Sequence, residues 1–152
     1  MIMVVVDTYE TAPEVLSAVD CLSLLIGGGL GHVAITARAL PAIVPVMFVI
    51  DQGEIVFRAK ADTPLAWATN GTVVAFEADR IHPGTGGWSI FVTGVARHLG
   101  RESELETYRV VSLSPDMVSG RRIEGMPMIE PISRAAPAIR PASRDRSVAS
   151  RS

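Results

Sequence analysis

The sequence predicts a single, mostly antiparallel β-barrel domain with a few short helices, and three observations carry that expectation. From Leu30 onward, β-branched and aromatic runs alternate with short turns, which is the pattern of strands joined by hairpins. Gly94 interrupts the longest of these runs, where a barrel strand needs a bulge or a close backbone approach. A chain of 152 residues that is 48% hydrophobic has material for one core, which makes a second full domain unexpected.

The first six residues are apolar but lack a basic flank and run into Asp7 and Glu10, so they do not read as a secretory signal. Apolar residues Val15, Leu16, Val19, Leu22, Leu25 and Ile26 recur at three-to-four spacing and predict a helix over 13–26. Thr11 is its expected cap and Gly27-Gly28-Gly29 its stop. Strands are then expected over 31–38, 41–50 and 54–60, with Asp51-Gln52-Gly53 as a tight turn. If Ile55, Phe57 and Ala59 face the core, Arg58 and Lys60 share the opposite face.

Thr63 and Pro64 open a short expected helix, which Asn70-Gly71 ends. A strand over 72–77, a flexible connection over 79–87 and a long strand over 88–99 follow. The acidic residues Glu102, Glu104 and Glu106 predict one helical turn, and 108–113 a last strand. The domain is expected to span 1–133. Residues 134–152, mainly Ala, Pro, Ser and Arg with five arginines against Asp145, are expected to be a disordered tail.

Composition narrows the function. A net charge of -2 exerts no general pull on nucleic acid or anionic lipid. The longest apolar stretch, 39–50, contains Pro41 and Pro45 and is shorter than the roughly 20 residues of a membrane helix, so a soluble cytoplasmic protein is expected. Cys21 is the only cysteine, which rules out an internal disulfide and fits a reducing compartment. A positive mean hydropathy with only 20% charged residues predicts that part of the apolar surface meets a second copy of the chain.

Few motifs carry chemistry. Gly29-Leu30-Gly31-His32-Val33-Ala34 matches the dinucleotide-binding fingerprint, but a helix precedes it and a β-branched run follows, so it reads as a helix stop. His32, His82 and His98 are far apart and lack ligand spacing, so no metal site is expected. There is no G-x-S-x-G and no Cys-His pair, which leaves any catalysis to a borrowed cofactor. Arg58 and Lys60 lead into Thr63-Pro64, where a phosphate would meet two cations, a hydroxyl and helix-start N–H groups. The same residues also fit a solvated surface pair near Asp62, and the pattern alone does not choose between the two.

The order Gly31-His32-Val33-Ala34-Ile35-Thr36, Pro45-Val46, Ile55-Val56-Phe57-Arg58, Val73-Val74-Ala75-Phe76-Glu77-Ala78-Asp79 and Gly87-Trp88-Ser89-Ile90-Phe91-Val92-Thr93-Gly94 resembles the pyridoxamine 5'-phosphate oxidase-like family, in its short bacterial branch. Tyr108-Arg109-Val110 and Ser119-Gly120-Arg121-Arg122-Ile123 extend the likeness, which covers roughly 15–123. The resemblance implies a six-stranded split β-barrel and a homodimer with FMN at the subunit interface. It implies that Arg58, Ala59, Lys60 and Thr63 hold the phosphate, that the isoalloxazine lies along Pro45, Val46 and Met47, and that Trp88 and Ser89 close the site.

Where many relatives have a glycine-rich turn and then a lysine, this chain has Lys60-Ala61-Asp62 and Pro64. It also lacks the basic set that pyridoxamine phosphate oxidation uses. The expected function is therefore a flavin-dependent oxidoreductase in which FMN, or a deazaflavin, passes hydride to a small organic substrate. The alternative is a noncatalytic binder of flavin, deazaflavin or haem, and a more remote one is an interaction module built on the arginine tail, with nucleic acid not the expected partner.

Overall fold

The computed structural model describes residues 14–100 and 107–125. In chain order the elements are β1 (Glu14–Leu16), α1 (Ala18–Leu25), β2 (Gly29–Ala37), β3 (Leu40–Asp51), β4 (Glu54–Lys60), α2 (Pro64–Ala68), β5 (Thr72–His82), β6 (Gly86–Leu99), β7 (Tyr108–Leu113) and β8 (Met117–Ile123). The strands run β6-β5-β2-β3-β4-β7, and β7 pairs back onto β6, closing a six-stranded antiparallel barrel. Among the described residues no helix is long and apolar enough to cross a membrane.

Closure depends on β6. Its first half, from Gly87 to Thr93, pairs with β8, and its last residues, Ala96 to Leu99, pair with β7. Gly94 stands at the handover: a Cβ there would lie 1.7 Å from the Ser114 carbonyl oxygen. Beside it, the Ser114 N–H donates to the Val95 carbonyl at 3.1 Å, and the Val95 N–H donates to the Asp116 carboxylate at 3.2 Å. The expected close approach at Gly94 is therefore where one strand changes partners.

Alternation fills the interior. Val33, Phe48, Ile55, Phe57, Phe76 and Ile90 are buried, and the Phe48 and Phe76 rings meet edge to face with centroids 5.0 Å apart. Gly31 belongs to this packing, because a Cβ there would sit 2.4 Å from the Phe76 ring. The glycine of the apparent nucleotide fingerprint is thus needed by an aromatic side chain.

Three expectations change. The helix expected over 13–26 is divided: Glu14–Leu16 pairs with β8, and α1 starts only after Ser17, whose hydroxyl accepts the Asp20 N–H at 3.1 Å. The open edge of β8 offers ladder bonds that a helix at 14–16 would forgo, and Ser17 supplies a cap to restart the chain as helix. The flexible connection expected over 79–87 is mostly ladder, since β5 and β6 pair through His82 and Gly86 and leave only Pro83–Thr85 as the turn. No element is expected from the sequence at 117–123, yet β8 pairs there with both β6 and β1. The apolar first residues, the Thr11 cap, the acidic turn at Glu102, Glu104 and Glu106, and the tail at 134–152 lie outside the described residues.

The barrel also has an opening. β3 pairs with β2 from Leu40 to Phe48 but with β4 only from Phe48 to Asp51, while β4 continues along β7 as far as Lys60. Pro41 and Pro45, four residues apart, turn their nitrogens to the same side of β3, and neither can donate a ladder bond. Since both sit within the β2 pairing, the side without donors is the one toward β4. The strands separate there, and α2 packs against β2 and β4 beside the gap.

Candidate functional site

At the opening, β4 sorts its side chains as alternation requires. Ile55, Phe57 and Ala59 point inward, while Arg58 and Lys60 are exposed on the outer face, cross-strand from Val110 and Tyr108. Among the described residues neither cation has an ion-pair partner. Ala59 is 1% exposed, so it can serve a ligand only through its backbone.

Thr63 follows one tight turn later. Its hydroxyl donates to the Lys60 carbonyl at 2.6 Å and accepts the Ala66 N–H at 3.4 Å, capping α2. A phosphate drawing on this hydroxyl would have to replace the Lys60 carbonyl as its acceptor. α2 has only five residues, so its dipole is small and the charge for an anion comes from Arg58 and Lys60. Asp62, exposed and at φ +61°, occupies a backbone position suited to glycine and opposes that charge.

Pro45 and Met47 face outward on β3 and Val46 is buried between them, so this segment offers two contact residues. Trp88 and Ser89 do not join them within the chain. They lie on β6, separated from β3 by β5 and β2, a span of about 14 Å at ordinary strand spacing. Trp88 is half-buried, with the Arg80 guanidinium 6.0 Å from its ring centre, and borders a cavity of about 220 Å³ with Phe48, Leu30 and Gly28.

Three features could not be found from sequence spacing. Cross-strand register sets Ser119, Phe91, Glu77, His32 and Pro45 in one outward row over five strands. Within it, His32 Nδ1 and Glu77 Oε2 are 3.1 Å apart. Burial pushes the Glu77 carboxyl above its usual range, neighbouring Asp79 adds to this, and His32 opposes it. The row below, Met117, Thr93, Ala75, Ala34 and Ile43, makes the surrounding sheet face mostly apolar, with Ile43 72% and Met117 70% exposed. At the far end of β2, a groove of about 700 Å³ runs between α2 and the β2–β3 hairpin, lined by Pro64, Trp67, Ala68 and Thr72 on one side and Thr36, Ala37 and Arg38 on the other.

Comparison with known proteins is specific: the family model described as pyridoxamine 5'-phosphate oxidase matches residues 17–121, well over half of the chain. The chain belongs to the pyridoxamine 5'-phosphate oxidase-like family. An uncharacterised Mycobacterium tuberculosis protein, Rv0080, is 31% identical over 123 residues, covering 68% of this chain and 81% of its own. A FAD binding protein from Mycobacterium smegmatis matches with a TM-score of 0.63 at 35% identity, over 73% of this chain and 98% of that one. A FAD and haem binding protein from the same organism shares the fold, with a TM-score of 0.60 at 18% identity over 75% of each chain. The chain is thus a pyridoxamine 5'-phosphate oxidase-like split barrel whose relatives include flavin-binding proteins.

Proposed function

We propose that this protein is a flavin-dependent oxidoreductase acting on a small organic substrate, with the flavin phosphate held at Arg58 and Lys60. The observation that carries this reading is the pair of exposed cations, without ion-pair partners among the described residues, at the place where β4 leaves β3. A phosphate there is held by charge-assisted bonds, and Thr63 stands next in line. The isoalloxazine would lie along the outward Pro45 and Met47, flat apolar contacts that exclude water from one ring face. When bound, the flavin supplies hydride transfer, so the protein needs only to hold and orient it. No side chain is assigned a catalytic role.

The same proposal includes a homodimer and the cytoplasmic location expected from the sequence. The apolar outer sheet face supports a second copy, because exposed Ile43, Met117 and Phe91 would lose their contact with water against it. Trp88 and Ser89 lie too far from the cations to close the site within one chain, so in this reading they close it from the other copy. FMN and FAD both fit the clamp as described.

The absorption spectrum of the purified protein tests the cofactor. Flavin bands that bleach with a reductant and recover with an acceptor are expected. A Soret band in their place would favour the haem-binding alternative, and a colourless protein that takes up neither FMN nor FAD would overturn the proposal. Sedimentation equilibrium should give twice the chain mass, and a monomer at high concentration would remove the dimer.

A further inference from the structure

The groove beside α2 continues the proposed flavin site in one direction. Lys60 and Thr63 are joined by a 2.6 Å hydrogen bond, and Pro64, the next residue, is the near wall of the groove. Thr36 pairs with Pro41 and Ala37 with Leu40, so the groove lies at the start of β3. Pro45 and Met47 lie four and six residues beyond Pro41 on that strand, about 13 and 20 Å away. Counting on from the Phe48–Phe57 pair, Arg58 and Lys60 stand level with Met47 and Pro45, and the groove lies beyond them. The groove adjoins the cation end of the site, so whatever extends from the cofactor's phosphate would enter it.

The lining shows what extension fits. Trp67 is 60% exposed and lines the groove, with Pro64 and Ala68 beside it. A purine base stacks well on an exposed indole. Arg38, exposed on the opposite wall, adds a cation that faces no ion-pair partner among the described residues. Arg38 and Ala39 form the hairpin turn with φ of +50° and +62°, positions that glycine would hold with less strain.

We infer that this groove is a nucleotide subsite taking the adenosine end of a dinucleotide flavin, with Trp67 as the stacking platform and Arg38 beside the second phosphate. The assignment, which rests on the flavin reading above, makes FAD the preferred cofactor over FMN.

Calorimetric titration of the apoprotein with FMN, FAD and ADP tests it. FAD should bind roughly tenfold tighter than FMN, and ADP should compete with FAD. Trp67→Ala should bring FAD affinity down to that of FMN and leave FMN affinity unchanged. Arg38→Gly, which suits the backbone of the turn, should weaken FAD about threefold and spare FMN, giving a second reading if Trp67→Ala fails to fold. Equal affinity for the two flavins, or a Trp67→Ala loss shared by both, overturns the groove assignment and leaves the flavin proposal standing. Binding of neither flavin overturns both.

Discussion

The two edges of β4 make different use of charge. On the β7 side the strand pairs from Ile55 to Lys60, and near the hairpin Glu54 takes two hydrogen bonds from Arg97 of β6, each 2.8 Å, and a third from Ser112 of β7. These bonds cross the line where the barrel closes and hold the Glu54 carboxyl below its usual range, the Ser112 hydroxyl first and Arg97 second. On the β3 side the ladder stops at Phe57, and Arg58 and Lys60 stand without an ion-pair partner among the described residues. The seam uses its charges for structure, and the opening keeps its charges available. This is the physical basis for assigning a ligand to one edge and not to the other.

The comparison breaks most severely at the seam's glycine. Gly94→Ala should cost about 4 kcal/mol of stability, because the new methyl meets the Ser114 carbonyl and the strand cannot change partners there. Urea unfolding measures this, and a loss below about 1 kcal/mol would mean that the seam relaxes easily. At the opening, Arg58→Ala with Lys60→Ala should weaken flavin binding about a hundredfold while leaving the melting temperature close to wild type. Unchanged affinity in the double variant would place the clamp elsewhere.

Smaller effects sharpen the contrast. Glu54→Gln should cost about 1 kcal/mol, since the amide keeps a contact and loses the charge. The carboxyl is lowered in the folded state, so its contribution is present above the ordinary carboxylate range and is lost as pH falls through the lowered value. Glu77 acts in the opposite sense: its neutral form is favoured in the fold, and the stability it brings is lost as pH rises through its raised value. Acid denaturation of wild type and the Glu54→Gln variant side by side should show the first component vanish in the variant. Asp62→Gly should give the smallest change, tightening flavin about threefold by removing an opposing charge and relieving its φ of +61°. A weaker grip would show that Asp62 contributes to holding the ligand.

Much of the site is legible in the sequence because it is local. Alternation along 54–60 is enough to separate Arg58 and Lys60 from the core, and Thr63 is readable as a cap because the cap bond spans only three residues. The boundaries that shift are set by distant partners. Residues 14–16 carry a helical period, but the free edge of β8 claims them as strand, and β8 itself has weak periodicity because its place is decided by β6. The pairing that joins His32 to Glu77, 45 residues apart, exists only once β2 and β5 are in register. The groove between Trp67 and Arg38 likewise needs α2 packed beside the end of β2.

The sequence by itself determined the strand grammar, the two cations on one face, and the family, since these depend on residue order and short-range periodicity. The tertiary structure alone decided where the barrel closes and where it stays open. Closure is a pairing between β6 and β7 that also depends on Gly94 and on three polar groups from different strands, and no local pattern encodes which edges will meet. By setting the opening between β3 and β4, it left Arg58 and Lys60 facing outward beside α2, with Trp67 and Arg38 further along.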